Sequence, residues 1–69
     1  MNMKEAGALI KKRRTSLRID QRALSEISGV AVHTLSNIEA GNGNPTVTTL
    51  ARVLDALGME LRIQIKKQV

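Results

Sequence analysis

The sequence predicts a mainly α domain of about four helices followed by a C-terminal β-strand. Four stretches carry apolar residues three or four apart, which is the spacing of a helix buried on one face. The final stretch alternates apolar with polar or charged residues, a pattern that indicates a half-buried strand. We therefore expect a helical domain over residues 1–58 and a strand over residues 59–69. The alternating apolar residues are Met59, Leu61, Ile63 and Ile65.

The predicted helix ends carry local signals. Asn2, Asp20 and Thr46 have short polar side chains that can accept a hydrogen bond from a free N–H group at a helix start. Gly29 and Gly58 stand where the second and fourth helices end, because glycine enters the left-handed region at little cost. The predicted core residues are Ala6, Leu9, Ile10 and Leu17, then Leu24, Ile27 and Val30, then Leu35 and Ile38, and finally Val47, Leu50, Ala51, Leu54 and Leu57.

Composition limits the classes of function. The 69 residues allow one domain, and the absence of cysteine excludes disulfides and cysteine-ligated zinc and indicates a reducing compartment. No apolar run approaches the about 20 residues of a membrane span. A membrane-surface role for the basic first helix is weakened because its apolar stripe is needed for the core. The start of the chain lacks the long apolar core of a signal peptide, so we expect a cytoplasmic protein. One histidine and scattered carboxylates supply no nucleophile–base pair or metal cluster, so we expect no enzyme activity, catalytic residues, metal or cofactor.

The charge distribution favours a polyanionic partner. The net charge is +5, and seven of the 11 lysines and arginines lie within the first 22 residues. The alternative is that these residues are ordinary solvated charges. The chain has no Phe, Trp or Tyr, whereas single-strand binders and sequence-specific RNA binders stack bases on aromatic rings. If the partner is a nucleic acid, double-stranded DNA is therefore favoured.

The stretch from Gln21 to Gly41 resembles the helix-turn-helix of the phage repressor family, also called Cro/C1 or XRE. The resemblance extends over about residues 6–58 and implies a lambda-repressor-like domain. It also implies a transcriptional repressor that binds a palindromic operator as a homodimer. The residues in register are Ile10, Arg13, Arg14 and Leu17, then Gln21, Leu24, Gly29, Val30, Leu35, Ile38, Glu39 and Gly41, and then Pro45, Leu50, Leu54, Leu57 and Gly58.

The third predicted helix carries the candidate base-reading residues. Helical geometry directs His33, Ser36 and Asn37 away from the apolar side. The resemblance implies that Val32 and His33 occupy positions that read bases in relatives. Val32 can pack on a thymine methyl group, Asn37 can pair with adenine, and protonation of His33 would make binding pH-sensitive. The alternative is that these side chains are merely exposed. Ala31 stands where the family usually has Ser or Thr, so a cap and a phosphate contact are lost.

Other residues are candidates for contacts with the DNA backbone. Gln21 opens the second helix, whose N-terminus favours an anion, and the resemblance implies that it contacts a phosphate or a nearby base. Arg22 and Lys11 are further candidates by charge. The loop after the third helix completes the set, since its glycines allow a close approach of the backbone; the alternative is a simple turn. Its residues are Gly41, Asn42, Gly43 and Asn44.

Two further expectations follow from the resemblance. In the family an arginine at the position of Arg14 pairs with a glutamate at the position of Glu39; the alternative is two unrelated surface charges. The C-terminal strand resembles that of HipB-type antitoxins, which implies a toxin protein as an alternative partner. A lone strand leaves backbone groups unpaired, so we expect it to pair with the same strand of a second copy through Met59, Leu61, Ile63 and Ile65.

Overall fold

The computed structural model describes residues 1–67, which form four α-helices. Helix α3 packs against both α1 and α2, and α2 also packs against α4. The predicted mainly α domain of four helices is therefore confirmed. The helices are α1 (Met3–Ser16), α2 (Gln21–Ser28), α3 (Val32–Glu39) and α4 (Val47–Ala56).

Three of the four helices begin with a side-chain cap. In each, a short polar side chain accepts a hydrogen bond from a backbone N–H group that has no partner within the helix. Helix α3 differs, because Ala31 precedes it and offers no side-chain acceptor. The capping bonds join Asn2 Oδ1 to Glu5 N, Asp20 Oδ1 to Ala23 N and Thr46 Oγ1 to Thr49 N, at 2.8, 2.8 and 3.1 Å.

The turn between α2 and α3 depends on Gly29. This residue has a φ of 72°, and its N–H group donates to the carbonyl oxygen of Ser25 at 2.9 Å. A residue with a Cβ atom is strained in this left-handed conformation. Val30 follows directly and is buried, so the turn redirects the chain and anchors it in the core before α3 begins.

The core consists entirely of aliphatic side chains. It includes Leu35 and Ile38 of α3, so the predicted inward face of that helix is the one that is buried. Burying a side chain of this size contributes about 1.5–3 kcal/mol, so each member matters in so small a domain. Within the described residues, the eight buried hydrophobic side chains are those of Ile10, Leu24, Val30, Leu35, Ile38, Val53, Leu54 and Leu57.

Several residues that were predicted to be buried are exposed. Ile27 lies three residues after Leu24, the same spacing as the buried pair Leu35 and Ile38, but on a side of α2 that no neighbouring helix covers. Its exposed fraction is 61%, whereas that of Leu24 is 0%. The helical period is as predicted, but four short helices cover less of each other's surface than the pattern suggests. The other exposed members of the predicted stripes are Leu9, Leu17, Val47 and Ala51.

The predicted C-terminal strand is absent from the described residues. Residues 59–67 form neither helix nor strand, and the prediction for residues 68–69 lies outside the described part of the chain. Met59 continues from α4, with its N–H group donating to Leu54 O at 2.8 Å, and packs against the core. Beyond it, Ile63 and Ile65 are 94% and 98% exposed. The physical reason is that a strand is stabilised by pairing, and a single copy supplies no second strand.

The crossing of α1 and α3 is unusually close at Gly7, which is buried. A Cβ atom at this position would collide with the carbonyl oxygen of Ile38 and lie 3.1 Å from that of Glu39. Both obstacles are backbone atoms, which cannot rotate away. The absence of a side chain at Gly7 thus sets how near α1 lies to the end of α3.

Replacing Gly7 by Ala tests this crossing, because helix propensity and steric crowding would change the free energy of unfolding in opposite directions. In a helix without such a contact, the change would stabilise the protein by about 1 kcal/mol through helix propensity. Here we expect a loss of about 1–3 kcal/mol from overpacking. Urea unfolding followed by circular dichroism measures the difference, and Lys12→Ala on the exposed side of the same helix is the control. A gain in stability for Gly7→Ala would show that the crossing is wider than described.

Candidate nucleic-acid interface

The outward side of α3 is a short, uncharged and polar surface. Val32, His33 and Ser36 are exposed and Asn37 is half-buried, while Leu35 on the opposite side is fully buried. The structure therefore brings the four predicted base-reading residues together on one accessible face of one helix. Such a face can enter a groove of a duplex and present hydrogen-bonding groups and one methyl-bearing side chain to base edges.

Asn37 is held by two neighbours. Its carbonyl oxygen accepts a hydrogen bond from the N–H group of Asn42 at 2.9 Å, which ties the end of α3 to the following loop. Its side-chain Nδ2 atom lies 3.4 Å from Nε2 of His33, one turn earlier on the same face. The backbone at Asn37 is thus fixed, and its amide group is in contact with the imidazole.

The loop after α3 lies beside the start of α1. A Cβ atom on Gly41 would lie 2.8 Å from the Cα atom of Lys4, so loop and helix are in direct contact. Asn42, Gly43 and Asn44 are exposed. Lys4 was not among the predicted site residues, because residues 37 positions apart in the sequence carry no local signal of contact. The structure adds its positive charge to this edge of the domain.

Arg14 and Glu39 form a bidentate ion pair behind this surface. Nε and Nη2 of Arg14 donate to the two carboxylate oxygens of Glu39 at 2.7 and 2.9 Å. The third nitrogen, Nη1, donates to the carbonyl oxygen of Ile19 at 2.8 Å. The side chains are 11% and 3% exposed, so the pair is shielded from water and joins α1 to the end of α3.

The environment of Glu39 favours its charged form. Burial by itself raises the pKa of Glu39, but the hydrogen bonds from Arg14 and Gln21 and the charges of Arg14 and Lys11 lower it further than burial raises it. The pKa of Glu39 therefore lies below its ordinary value of 4.5. The hydrogen bond to Glu39 likewise raises the pKa of Arg14, against the opposing effect of burial.

The residues predicted to contact the DNA backbone differ in whether their side chains are available. Nε2 of Gln21 donates to Oε1 of Glu39 at 3.2 Å, so its side chain faces the ion pair. Its backbone still lies at the start of α2, where free N–H groups favour an anion. Arg22 and Lys11 are exposed. The pairing of Gln21 was missed because nothing in the sequence separates an amide that contacts Glu39 from one that faces outward.

Arg13 has a role that the sequence pattern did not indicate. Its Nε atom donates to the carbonyl oxygen of Leu57 at 2.9 Å, although the two residues are 44 positions apart. A cation at this position satisfies a free carbonyl group and interacts favourably with the C-terminal end of the α4 dipole. This contact fixes the end of α4 to α1.

Within residues 1–67, no group of three or more His, Cys, Asp or Glu side chains is arranged to hold a metal ion. No helix in that range is long and apolar enough to cross a membrane. The arrangement of α2, the Gly29 turn and α3 is that of a helix-turn-helix, with a polar outer face on the second helix.

Comparison with known protein families agrees with this geometry. The family described as "Helix-turn-helix" matches residues 10–64, which is most of the chain. The protein therefore belongs to this family, the helix-turn-helix family of Cro/C1 (XRE) type. The match supports a DNA-binding transcription regulator. A search of curated proteins finds no match.

Replacing Glu39 by Ala should destabilise the fold strongly at neutral pH. The change leaves Arg14 shielded from water without its partner, and breaking a buried pair costs about 3–5 kcal/mol. Urea unfolding measures the loss. Glu60→Ala is the matched control, because Glu60 also pairs with an arginine, Arg62, but with both side chains more than two-thirds exposed. An equal, small effect of the two substitutions would contradict the role of the Arg14 pair.

The same pair predicts a pH dependence of stability. Because the pKa of Glu39 is lower in the folded state, its contribution is complete above pH 4.5 and is lost as the pH falls through the lowered value. The difference in unfolding free energy between the wild type and Glu39→Gln should therefore shrink below pH 4.5. A difference that stays constant from neutral to acidic pH would show that the carboxylate is not stabilised by folding.

Proposed function

We propose that this protein is a sequence-specific repressor that binds double-stranded DNA as a homodimer. The observation that carries the proposal is the division of α3 into two faces. Leu35 and Ile38 anchor it in the core, while Val32, His33 and Asn37 are accessible on the other side. A major groove about 12 Å wide admits an α-helix, and polar side chains of this length reach base edges there.

Around this face, positive and hydrogen-bonding groups are available for the phosphates. Arg22 lies on the first turn of α2, Lys11 lies on α1, and the exposed loop residues follow α3. In a complex these groups set the position of the domain along the backbone, since phosphate contacts carry no sequence information themselves. The side chains of α3 then distinguish one sequence from another.

The two kinds of contact should respond differently to substitution. Asn37→Ala should cost about 1–3 kcal/mol on the preferred duplex and relax the preference at one base pair. Arg22→Ala should weaken binding to all duplexes alike and lower the salt dependence, because one fewer counterion is released. Binding-site selection on random duplexes followed by salt titrations measures both effects. If Asn37→Ala changes neither affinity nor preference, the assignment of the α3 face is wrong.

Dimer formation through the C-terminal residues is supported by the apolar surface that one copy leaves open. Ile63 and Ile65 are almost fully exposed, which is costly for side chains of their kind. A groove of about 530 Å³ lies between α1, α4 and the first residues that follow α4. It is lined mainly by apolar side chains, including those of Met3, Leu9, Leu50, Met59 and Leu61.

A second copy is the occupant that matches this surface. Two C-terminal segments running antiparallel would satisfy each other's backbone groups and cover the exposed isoleucines. A two-fold dimer would present two α3 helices to half-sites about 34–36 Å apart on a palindromic operator. The proposed interface residues are Met59, Leu61, Ile63 and Ile65.

Ile63→Asp should therefore produce monomers and remove most of the operator affinity. The charge would lie in the apolar interface, where an unpaired carboxylate is unfavourable. Sedimentation equilibrium measures the mass, with deletion of residues 60–69 as a second variant. Ile27→Asp is the matched control, because Ile27 is an exposed isoleucine on α2, outside the proposed interface. A truncated protein that still sediments as a dimer would place the interface on the helices.

The alternative is an antitoxin that binds a toxin protein and represses its own operon. The observation in its favour is the position of the apolar groove, whose lining includes no residue of α2 or α3. A protein could therefore occupy it while α3 contacts DNA. Co-expression with the product of the neighbouring gene, followed by measurement of the mass of the purified complex, tests this alternative. A mass equal to that of the repressor alone would exclude that partner.

A further inference from the structure

We propose that His33 positions the side-chain amide of Asn37 and thereby decides which base that amide reads. The inference rests on the proposed function, since it concerns the groove-facing side of α3. It assigns His33 a role different from direct base reading. His33 acts through its neighbour, and its protonation changes the pattern of donors and acceptors that α3 presents to DNA.

The contact itself defines the hydrogen bond. Nδ2 of Asn37 carries two hydrogens and can only donate, and it lies 3.4 Å from Nε2 of His33. In the proposed arrangement the imidazole nitrogen accepts, which requires a neutral ring with its hydrogen on Nδ1. The Asn37 backbone is held by the bond from Asn42, and the contact with His33 restrains the rotation of the Asn37 side chain.

The groups that remain free on the amide match adenine. With one N–H group donated to His33, Asn37 has one N–H group and its carbonyl oxygen left for the groove. Adenine presents an acceptor at N7 and a donor at N6 on its major-groove edge, which is the complementary pair. Without the imidazole, the amide is free to rotate by half a turn and exchange the two positions.

Protonation of the imidazole reverses which side of the Asn37 amide faces His33 and which side faces the groove. Both ring nitrogens of a charged histidine are donors, so Nε2 can no longer accept from Nδ2 of Asn37. The contact becomes favourable again when the amide turns and offers its oxygen to His33. Its two N–H groups then face the groove, where they match the acceptors N7 and O6 of guanine. Histidine is the side chain that ordinarily changes charge between about pH 5 and 8.

Among residues 1–67, no carboxylate lies within 4.0 Å of the imidazole, and Glu39, the one acidic residue of α3, is paired with Arg14. The charged groups on the helices packed against α3 are Lys4, Glu5, Lys11, Lys12, Arg13 and Arg14 of α1 and Arg22 and Glu26 of α2.

The experiment uses the full chain and duplexes that differ only at the base pair where Asn37→Ala removes the preference. At about pH 8 we expect adenine to be preferred over guanine about tenfold, and at about pH 5.5 we expect this ratio to fall to unity or reverse. His33→Gln is the conservative control, because its side-chain oxygen accepts at every pH. It should retain the adenine preference at both values, while His33→Ala should show a weak preference that does not change with pH.

A second measurement does not depend on DNA. In the free protein at neutral pH, ¹⁵N NMR should show Nε2 of His33 without a hydrogen, and Asn37→Ala should shift the ring toward the other tautomer. Nε2 carrying the hydrogen in the wild type would overturn the inference whatever the DNA result. A base preference that is the same at both pH values and in all His33 variants would overturn it too, yet leave the proposed function intact. Failure to select any duplex would overturn both.

Discussion

The ion pair between Arg14 and Glu39 is the interaction on which the arrangement of the helices depends. It joins α1 to the end of α3, and Gln21 adds the start of α2 to the same carboxylate. Close packing makes this geometry possible, because Gly7 lets the backbone of α1 approach the carbonyl group of Glu39 itself. Helix α3 is thus held from behind by a charge pair and apolar packing, and this is what leaves its opposite face available.

The helix boundaries could be predicted from the sequence, because the signals that set them act within a few residues. Asp20 and Gly29 bound α2 because a cap and a left-handed glycine act on the backbone directly beside them. Burial was predicted less well, because it depends on which surfaces a neighbour covers. Ile27 has the helical spacing of a core residue but meets no neighbour that buries it. The alternating tail failed as a strand within one copy for a related reason, since pairing is a property of two segments.

The candidate site likewise combines features that followed from the sequence with features that did not. The direction of His33, Ser36 and Asn37 followed from 3.6 residues per turn, given that Leu35 and Ile38 are buried. The four-residue spacing of His33 and Asn37 was also visible in the sequence as a pair that can touch. The orientation of the Gln21 amide and the approach of Lys4 to the loop were not visible, because each depends on helices brought together by folding.

The uncapped start of α3 makes the two ends of this helix unlike. Glu39 and Ile38 are buried at one end, whereas Val32 and His33 occupy a first turn that lacks a side-chain acceptor. A missing cap weakens a helix start by about 1 kcal/mol, which increases the population of the opened turn about fivefold. Local unfolding of α3 is therefore expected to begin at that end. The outward face of α3 is therefore fixed where the helix joins the core and more easily opened where the helix begins.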